Sequence, residues 1–542
     1  MNPTKEQLSI IAHPDNAVVN AAAGSGKTST LISYVEEQAR KKRVLYLAFN
    51  RSIKSEARDK FESKGLKNVV VETAHSLAYK KVFKGSTYEL NPTGYKPYDW
   101  IDIFKLPSTV NFAELSIFGY HINEFLMYFC NSSKAKVGDL DYRDSLRDPK
   151  GLPFVEANYE VIERYTRKAL KLMNDGDIPI THDFYLKKFQ LSQPKLGYEV
   201  ILLDEAQDTS EVVMDFFQLQ SHATLIAVGD HHQQIYGWRH AVNSLSKFRF
   251  PEFKLTASFR FPQAVANVAM HILSWKEGLQ VHNPRLQIRG LGGSSSNKTK
   301  AIIARSNTAL LARAIDEVSK KGSALSLYFE GNLSSYTYAQ AGGSIYDVLN
   351  LYYDRRKYIK DPLLKKMKDI DALLEYIDKS GDAEMRMLYD MVDRYGDRLP
   401  SLLKNLRNNQ VSDDKREEAH LIFTTCHRAK GMEYHTVEIL RDFITLERLG
   451  EKSDEVSHSI LAEEINLLYV AVTRAEVILE IPDIYIGSCD RNTLSSDHIK
   501  ILREDDPTHY SKKYSGPKNS GKFWSEREEK MLEKAIARGD SV

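Results

Sequence analysis

Short apolar runs alternate with helical patterns at the start of the chain: AVVN ahead of a glycine-rich loop, VLYLAF at 44–49 and VVVE at 69–72. Continuous apolar runs of this length, spaced by helices, predict a parallel α/β sheet. Two further runs, VILLDE at 200–205 and LIAVGD at 225–230, end in acidic residues after a long gap. Residues from about 80 to 195 therefore read as an insertion between strands of one sheet. Its aromatics (Tyr98, Trp100, Phe104, Phe118, Tyr120, Phe125, Tyr128 and Phe129) are spaced for packed helices. A second set, AIIAR at 301–305, LIFTT at 421–425, TVEIL at 436–440 and VILEI at 477–481, is also split once. The segment 341–415 that splits it contains RRKYIKDPLLKKMKDIDALLEYI, a charged helical pattern. The expected fold class is α/β, two parallel-sheet domains each carrying a mostly helical insertion. Past about residue 490 the chain turns polar: YSKKYSGPKNSGK predicts a basic linker, and WSEREEKMLEKAIARG a helix that Ser525 caps while Glu528 reaches back.

Length adds a domain count. A chain of 542 residues exceeds what one core holds, and about three or four domains are expected. Apolar residues at 42% and charged residues at 27% are ordinary globular usage. With 75 basic against 73 acidic residues the net charge is +2, so any nucleic-acid binding must use local patches. Cys130, Cys426 and Cys489 lie far apart, against a disulfide framework or a four-cysteine metal site, and point to a reducing cytoplasm. No basic stretch followed by an apolar run opens the chain, and no apolar stretch reaches about 18 residues, so secretion and a membrane partner are disfavoured.

In AAAGSGKTST, Ala23, Gly24, Ser25 and Gly26 can present backbone amides to phosphates. Lys27 can reach the β and γ phosphates, and Thr28, followed by Ser29, can offer a hydroxyl to Mg²⁺. The first glycine of the GxxxxGK[ST] pattern is Ala21 here. Asp204 and Glu205 follow four apolar residues and should emerge at the carboxyl end of a buried strand, where open α/β sheets bind ligands. One carboxylate can hold Mg²⁺ while the other polarises the attacking water. Together these predict a Mg²⁺-dependent ATPase.

Four more strings follow: TAHS (73–76), GDHHQQIYGWRHA (229–241), TTCHRAKGMEY (424–434) and NLLYVAVTRA (466–475). With AAAGSGKT and DEAQD, in this order, they resemble the UvrD/Rep family of superfamily 1 DNA helicases. LAFNRSIKSEA and TAHSLAY look closest to the F-box DNA helicase branch, with no F-box ahead of the glycine loop. The resemblance covers roughly 1–80 and 195–480. It implies two RecA-like P-loop domains, with ATP between them and single-stranded DNA and single-strand/duplex junctions as partners. It also implies movement 3′ to 5′ in DNA repair, recombination, replication or phage defence, in a cytoplasm of bacterial or phage type.

Carried onto this sequence, the resemblance makes Gln7 the adenine reader, Phe259 the ring stacked on the base and Glu433 the ribose contact. It makes Gln233 the γ-phosphate sensor, and Arg260 and Arg474 two arginine fingers reaching from the second sheet. Phe49, Asn50, Thr73, His75, Tyr236, Trp238, Arg239, Thr425 and His427 become the DNA track, where aromatic stacking tolerates any sequence. His240 stands where the family has glycine. His231 and His232 lack the partners a zinc site needs.

The expected domains are 1–80 with 195–255 (1A, ATP-binding), 81–194 (helical insertion 1B), 256–340 with 416–490 (2A), 341–415 (a short 2B-like insertion) and 491–542 (linker and terminal helix). Arg355, Arg356, Lys357, Lys365, Lys366 and Lys368 either touch duplex phosphates or form a solvated face. Lys512, Lys513, Lys518 and Lys522, before Trp524, suit DNA, a protein partner or a solubilising tail. Two rival functions remain: a translocase that strips proteins from single strands, and a nucleotide-gated DNA-binding subunit of a larger complex. RNA is an open alternative, since stacking does not read the sugar.

Overall fold

Strands covered on both faces need apolar residues at every position, and the uninterrupted runs meet that need. In the computed structural model, which describes residues 3–107, 111–296, 298–339, 342–452, 456–487, 489 and 496–503, they build two sheets. The first comprises β1 (Ala17–Ala21), β2 (Val44–Ala48), β3 (Val69–Thr73), β4 (Val200–Leu203), β5 (Thr224–Gly229) and β6 (Glu252–Leu255), in the order β3-β2-β4-β5-β1-β6. Its pairings are parallel, and β1, β2 and β4 are buried along their whole length. A two-strand parallel ladder, β7 (Ala257–Ser258) with β8 (Arg289–Gly290), follows. The second sheet comprises β9 (Lys300–Ala304), β10 (Leu327–Phe329), β11 (Leu421–Thr425), β12 (Tyr434–Ile439), β13 (Ala475–Pro482) and β14 (Ile499–Leu502), in the order β10-β11-β9-β12-β13-β14.

Chain order in the first sheet reverses around β1, and the loops after β1, β2, β3, β4 and β5 all leave from its carboxyl edge. That edge is where parallel sheets place ligands. Three strands of the two sheets have no clear sequence signal: β6 is only partly buried, β10 is three residues long, and β14 lies in the stretch after 490 expected to be linker, so the second sheet extends past that bound.

Both insertions are helical. Between β3 and β4, helices Phe112–Asn131 and Leu152–Asp175 pack around Trp100, whose Nε1 donates to Asn123 Oδ1 at 2.7 Å. Between β10 and β11 lie helices Ile345–Tyr352, Ile370–Ser380, Ala383–Tyr395 and Leu399–Asn409. His121 Nε2 sits 2.9 Å from the Lys379 carbonyl, joining one insertion to the other. Of the basic residues in the second insertion, Arg355 pairs with Asp397 and Arg356 with Asp354, at 2.9 and 2.8 Å. The compact unit spans Met1–Ile501, and the linker, the terminal helix and their lysines lie outside the described residues. No described helix is long and apolar enough to cross a membrane.

Two positions make the insertions sensitive to single changes. A Cβ on Gly119, inside helix Phe112–Asn131, would strike the Pro97 carbonyl, whereas one on Gly278 would meet nothing. Gly119→Ala should lower stability by about 1–3 kcal/mol and Gly278→Ala by far less; equal thermal midpoints for the two variants would refute the contact. Asp382 caps helix Ala383–Tyr395 by accepting from Met385 N at 2.9 Å. Burial pushes its carboxyl up from 3.8 to about 6, with Glu384 adding to the rise and the Met385 amide opposing it. Between these values the folded chain keeps a proton that the unfolded chain has released, so stability falls as pH rises through that window. Asp382→Asn preserves the cap and removes the charge. It should flatten this slope and stabilise the protein at neutral pH by about 2–3 kcal/mol. Denaturation curves with the same pH slope for both proteins would contradict it.

Candidate active site and nucleic-acid interface

Gly24 and Gly26 have φ of 72° and 77°, the left-handed region that glycine enters at no cost. A Cβ on Gly24 would also lie 2.6 Å from Arg260 Cβ and 2.8 Å from Ser258 Oγ, so the loop is pressed against β7 and the residues just past it. Ala21 needs no such freedom: it ends β1, fully buried and in register with Leu255. The helix Lys27–Gln38 then starts at Lys27, with Thr28 and Ser29 in its first turn. Among the described residues, Ser25 Oγ and Asn20 Nδ2 are buried beside the loop without a hydrogen-bond partner, an open polar cradle. Gln7 reaches it by donating from Nε2 to Thr30 Oγ1 at 3.1 Å, while its Oε1 accepts from Thr4 N at 2.9 Å.

Lys27 Nζ bonds Glu205 Oε1 at 2.6 Å. Burial works against the Lys27 charge, but Glu205 and Asp204 more than restore it and raise its pKa. Glu205 is held down at about 2: burial opposes this, and Lys27 and Lys430 overcome it. Asp204 moves the other way, to about 6, through burial and the Glu205 charge beside it. Tyr46, on β2, donates its hydroxyl to Asp204 Oδ2 and also interacts with Thr28. Glu205 has φ of 52°, unusual for a residue with a side chain, and opens the turn Ala206–Asp208. Gln207 bonds Glu205 Oε2 at 2.6 Å through Nε2 and accepts from Asp230 N at 3.1 Å. Asp208 pairs with Lys430 from the loop after β11, which also donates to the Gln233 carbonyl at 2.6 Å.

The segment after β5 is fastened to one face of helix His458–Val472. Tyr469 donates to Asp230 Oδ2 at 2.9 Å, Asn466 Nδ2 to the Gln234 carbonyl at 2.8 Å, and Gly237 N to Glu463 Oε1 at 2.9 Å. Positions 463, 466 and 469 lie three apart, so the three groups share a helix face. Arg147 also pairs with Glu463, at 2.7 Å, tying in the first insertion. Lys276, fully buried, bonds Asn466 Oδ1 and sits 3.1 Å from His232 Nδ1; burial draws its pKa down to about 7. Asp230 also accepts from Gln233 Nε2 at 3.0 Å.

Arg474 follows this helix and is 1% exposed. Its donors reach only the Val470 and Met432 carbonyls and Thr473 Oγ1, and among the described residues it pairs with no carboxylate. Burial, with Arg260 nearby, lowers its pKa to about 10. Arg260 corrects an expectation. It lies not in the second sheet but on the connector just past β7, against Gly24, with Nε donating to Glu433 Oε1 at 2.7 Å and NH1 to the Thr473 carbonyl at 3.1 Å. Its neighbour Phe259 bonds the Gly24 carbonyl through its backbone N at 2.9 Å.

Of the expected track residues, one group of rings converges. Phe49 stacks on Tyr236 with centroids 5.5 Å apart, Tyr236 lies 5.9 Å from His427, and His427 lies 6.3 Å from Trp238. Arg239 sits over the Trp238 ring, which is 39% exposed and no core residue. Burial lowers the His427 pKa to about 4, and its Nε2 lies 3.1 Å from the Ile235 carbonyl. Asn50 and Thr73 use their side chains to cap helices Arg51–Ser63 and Ala74–Val82, and Thr425 is buried at the end of β11. His75 stands apart, with His182 and Tyr185. His240 has φ of 57°, which explains why glycine suits this position. Tyr46, Gln207, Asp208, Lys430, Lys276 and the 463/466/469 face carried no motif-independent signal except the spacing of the last three.

Residues 3–249 match the UvrD/REP helicase N-terminal domain, and residues 156–482 the UvrD-like helicase C-terminal domain. F-box DNA helicase 1 of Gallus gallus is 30% identical over 512 residues, covering 88% of this chain and 48% of the relative. F-box DNA helicase protein 1 of Schizosaccharomyces pombe is 27% identical over 514 residues, covering 86% and 55%. A probable DNA helicase of Mycoplasma pneumoniae is 25% identical over 323 residues, covering 56% and 47%. The chain thus spans about half the length of these relatives. With two RecA-like lobes and both family domains matched, the chain belongs to the UvrD-like helicase family.

Proposed function

We propose that this chain is an ATP-driven, Mg²⁺-dependent translocase that moves 3′ to 5′ on single-stranded DNA and opens duplex at junctions. The observation that best supports it is Arg474: a buried guanidinium that, among the described residues, pairs with no carboxylate, just past the helix fastened to the segment bearing Gln233 and Trp238. A charge so placed calls for a phosphate. The cradle of Ala23, Gly24, Ser25 and Gly26 holds the phosphates; Gln7 and Phe259 take the adenine and Glu433 the ribose.

Thr28 and Asp204, already linked through Tyr46, suit Mg²⁺, which would offset charge on the β and γ oxygens. Lys27 leaves Glu205 for those oxygens and so frees the carboxylate to orient water. With its charge favoured by Lys27 and Lys430, Glu205 is an acceptor at neutral pH. Gln233 senses the γ-phosphate, and Arg260 and Arg474 neutralise the transferred group. Phe49, Tyr236, Trp238 and His427 stack bases, with Asn50, Thr73, His75, Arg239 and Thr425 beside the strand. The domain bounds are those expected from the sequence, except that β14 carries the second domain past residue 490, and the direction rests on family likeness. The small second insertion favours one variant of this reading, a motor that clears bound protein from single strands rather than unwinding long duplexes.

Lys27→Ala and Glu205→Gln should each cut DNA-stimulated ATP hydrolysis by at least about 10²-fold, and Arg474→Ala by about 10³-fold or more. Wild-type protein with no DNA-stimulated phosphate release, or variants with full turnover, would end the proposal. Tyr469→Phe removes one rung between the lobes, together with the Tyr469 contact to the Ala23 amide of the cradle. It should reduce the stimulation by single strands about tenfold; an unchanged stimulation ratio would show that the rung does not couple them.

A further inference from the structure

The rings do not stop at His75. Its centroid lies 6.0 Å from Tyr185, and Tyr185 lies 5.8 Å from both Tyr79 and Phe83. Tyr79 and Phe83, one helical turn apart at the end of Ala74–Val82, stack at 4.3 Å with an interplanar angle of 25°. Tyr185 is a buried floor, 3% exposed, but Tyr79 leaves 43% of its surface to solvent. An aromatic pair one turn apart stabilises a helix by only about 0.2–0.5 kcal/mol, and it does so without an open ring face. Exposed cations lie close by along the chain, Lys81 and Lys84, while Lys80 is held by Glu72. On the other side Arg51, exposed and two residues past Phe49, lies close enough for its charge to act on Tyr185. Arg51 is thus within electrostatic reach of Tyr185 and two residues along the chain from Phe49.

We propose that Tyr79, backed by Phe83, is a further base-stacking position for single-stranded nucleic acid, lying beyond His75, with Arg51, Lys81 and Lys84 taking the phosphates alongside. This rests on the reading of the chain as a single-strand motor. A π face accepts any base, and cations beside it meet the backbone, the combination by which single strands are held without regard to sequence.

The test is affinity for oligothymidylates graded from about 4 to 16 nucleotides, by fluorescence anisotropy, for the wild-type chain, Tyr79→Leu and Tyr79→Trp. Tyr79→Leu keeps an apolar contact with Phe83 but removes the π face. It should match wild type on the shortest strands that bind and lose roughly 5- to 100-fold on those long enough to reach helix Ala74–Val82; Tyr79→Trp should hold or gain affinity there. Coincident curves for Tyr79→Leu and wild type at every length, or an equal loss at every length, would overturn the proposal. A wild-type chain that binds no single strand would overturn the motor reading as well, so the two failures are distinct. Photocrosslinking of 5-iododeoxyuridine strands to the wild-type chain, which needs no variant to fold, should label Tyr79 or Phe83; label confined to the Phe49, Tyr236 and Trp238 rings would count against it.

Discussion

Three hydrogen bonds between one helix face and one short segment hold this structure in the form described. Tyr469, Asn466 and Glu463 meet Asp230, Gln234 and Gly237 in antiparallel order. Two of the three involve a carboxylate, the class of hydrogen bond worth about 1.5–3 kcal/mol. The helix they grip runs about 14 Å from Glu463 to its end at Val472, at 1.5 Å per residue, and Arg474 follows its cap. In the proposed motor a displacement of the guanidinium just past its end is passed along the helix to the segment beside the exposed Trp238. In the proposed motor this makes the connection mechanical: no relay of small shifts through a soft core is required.

Around the glycine loop the same economy applies to charge. Lys27, Asp204, Glu205, Asp208, Asp230 and Lys430 lie in one largely buried cluster, where an isolated charge would be costly. The cost is met by exchange of partners: Lys27 on Glu205, Lys430 on Asp208, and Gln207 between Glu205 and Asp208. Burial raises Asp204 and Asp208 alike to about 6, but Asp208 is paired with Lys430, whereas Asp204 has the Glu205 charge beside it and, among the described residues, no ammonium in salt-bridge contact. A divalent cation offsets both burial and the neighbouring carboxylate. The proposed Mg²⁺ site is thus a point of the cluster where added positive charge relieves strain. In the proposed motor Arg474 is the matching positive charge on the other lobe, and a polyphosphate between them would satisfy both.

What the sequence made legible follows from what each signal encodes. Buried parallel strands must be apolar throughout, so nine of the runs read from the pattern are strands; β10 is too short and β6 too exposed to carry that signal. Gly24, Gly26, Lys27, Asp204 and Glu205 were visible because backbone geometry and charge leave few alternatives. Arg260 was assigned to the wrong element, since a residue's place in a motif says nothing about which strand precedes it. Tyr46 was invisible: in VLYLAF it is one more β-forming aromatic, and only the register of β2 beside β4 brings its hydroxyl to Asp204. The 463/466/469 face was present as a spacing, yet that spacing acquires meaning only once the segment 230–237 is known to lie against it.

His240 and Gly229 show how tightly that segment is drawn. Gly229 ends β5, and any Cβ there would meet Gln207, whose carbonyl oxygen accepts from Asp230 N. Only glycine lets the turn after β4 and the turn after β5 approach closely enough for that bond. At the other end His240 adopts φ of 57°, a cost of order 1 kcal/mol that glycine would avoid. Its ring lies 5.3 Å from Tyr128 of the first insertion. Here the chain accepts backbone strain in return for a contact that glycine cannot make. The segment that holds Gln233 and Trp238 is thereby anchored at three places: to the first sheet through Gln207, to the second lobe through the helix face, and to the helical insertion through His240. Three anchors on different bodies are what a lever needs if it is to turn a change in their relative position into a displacement of the ring between them.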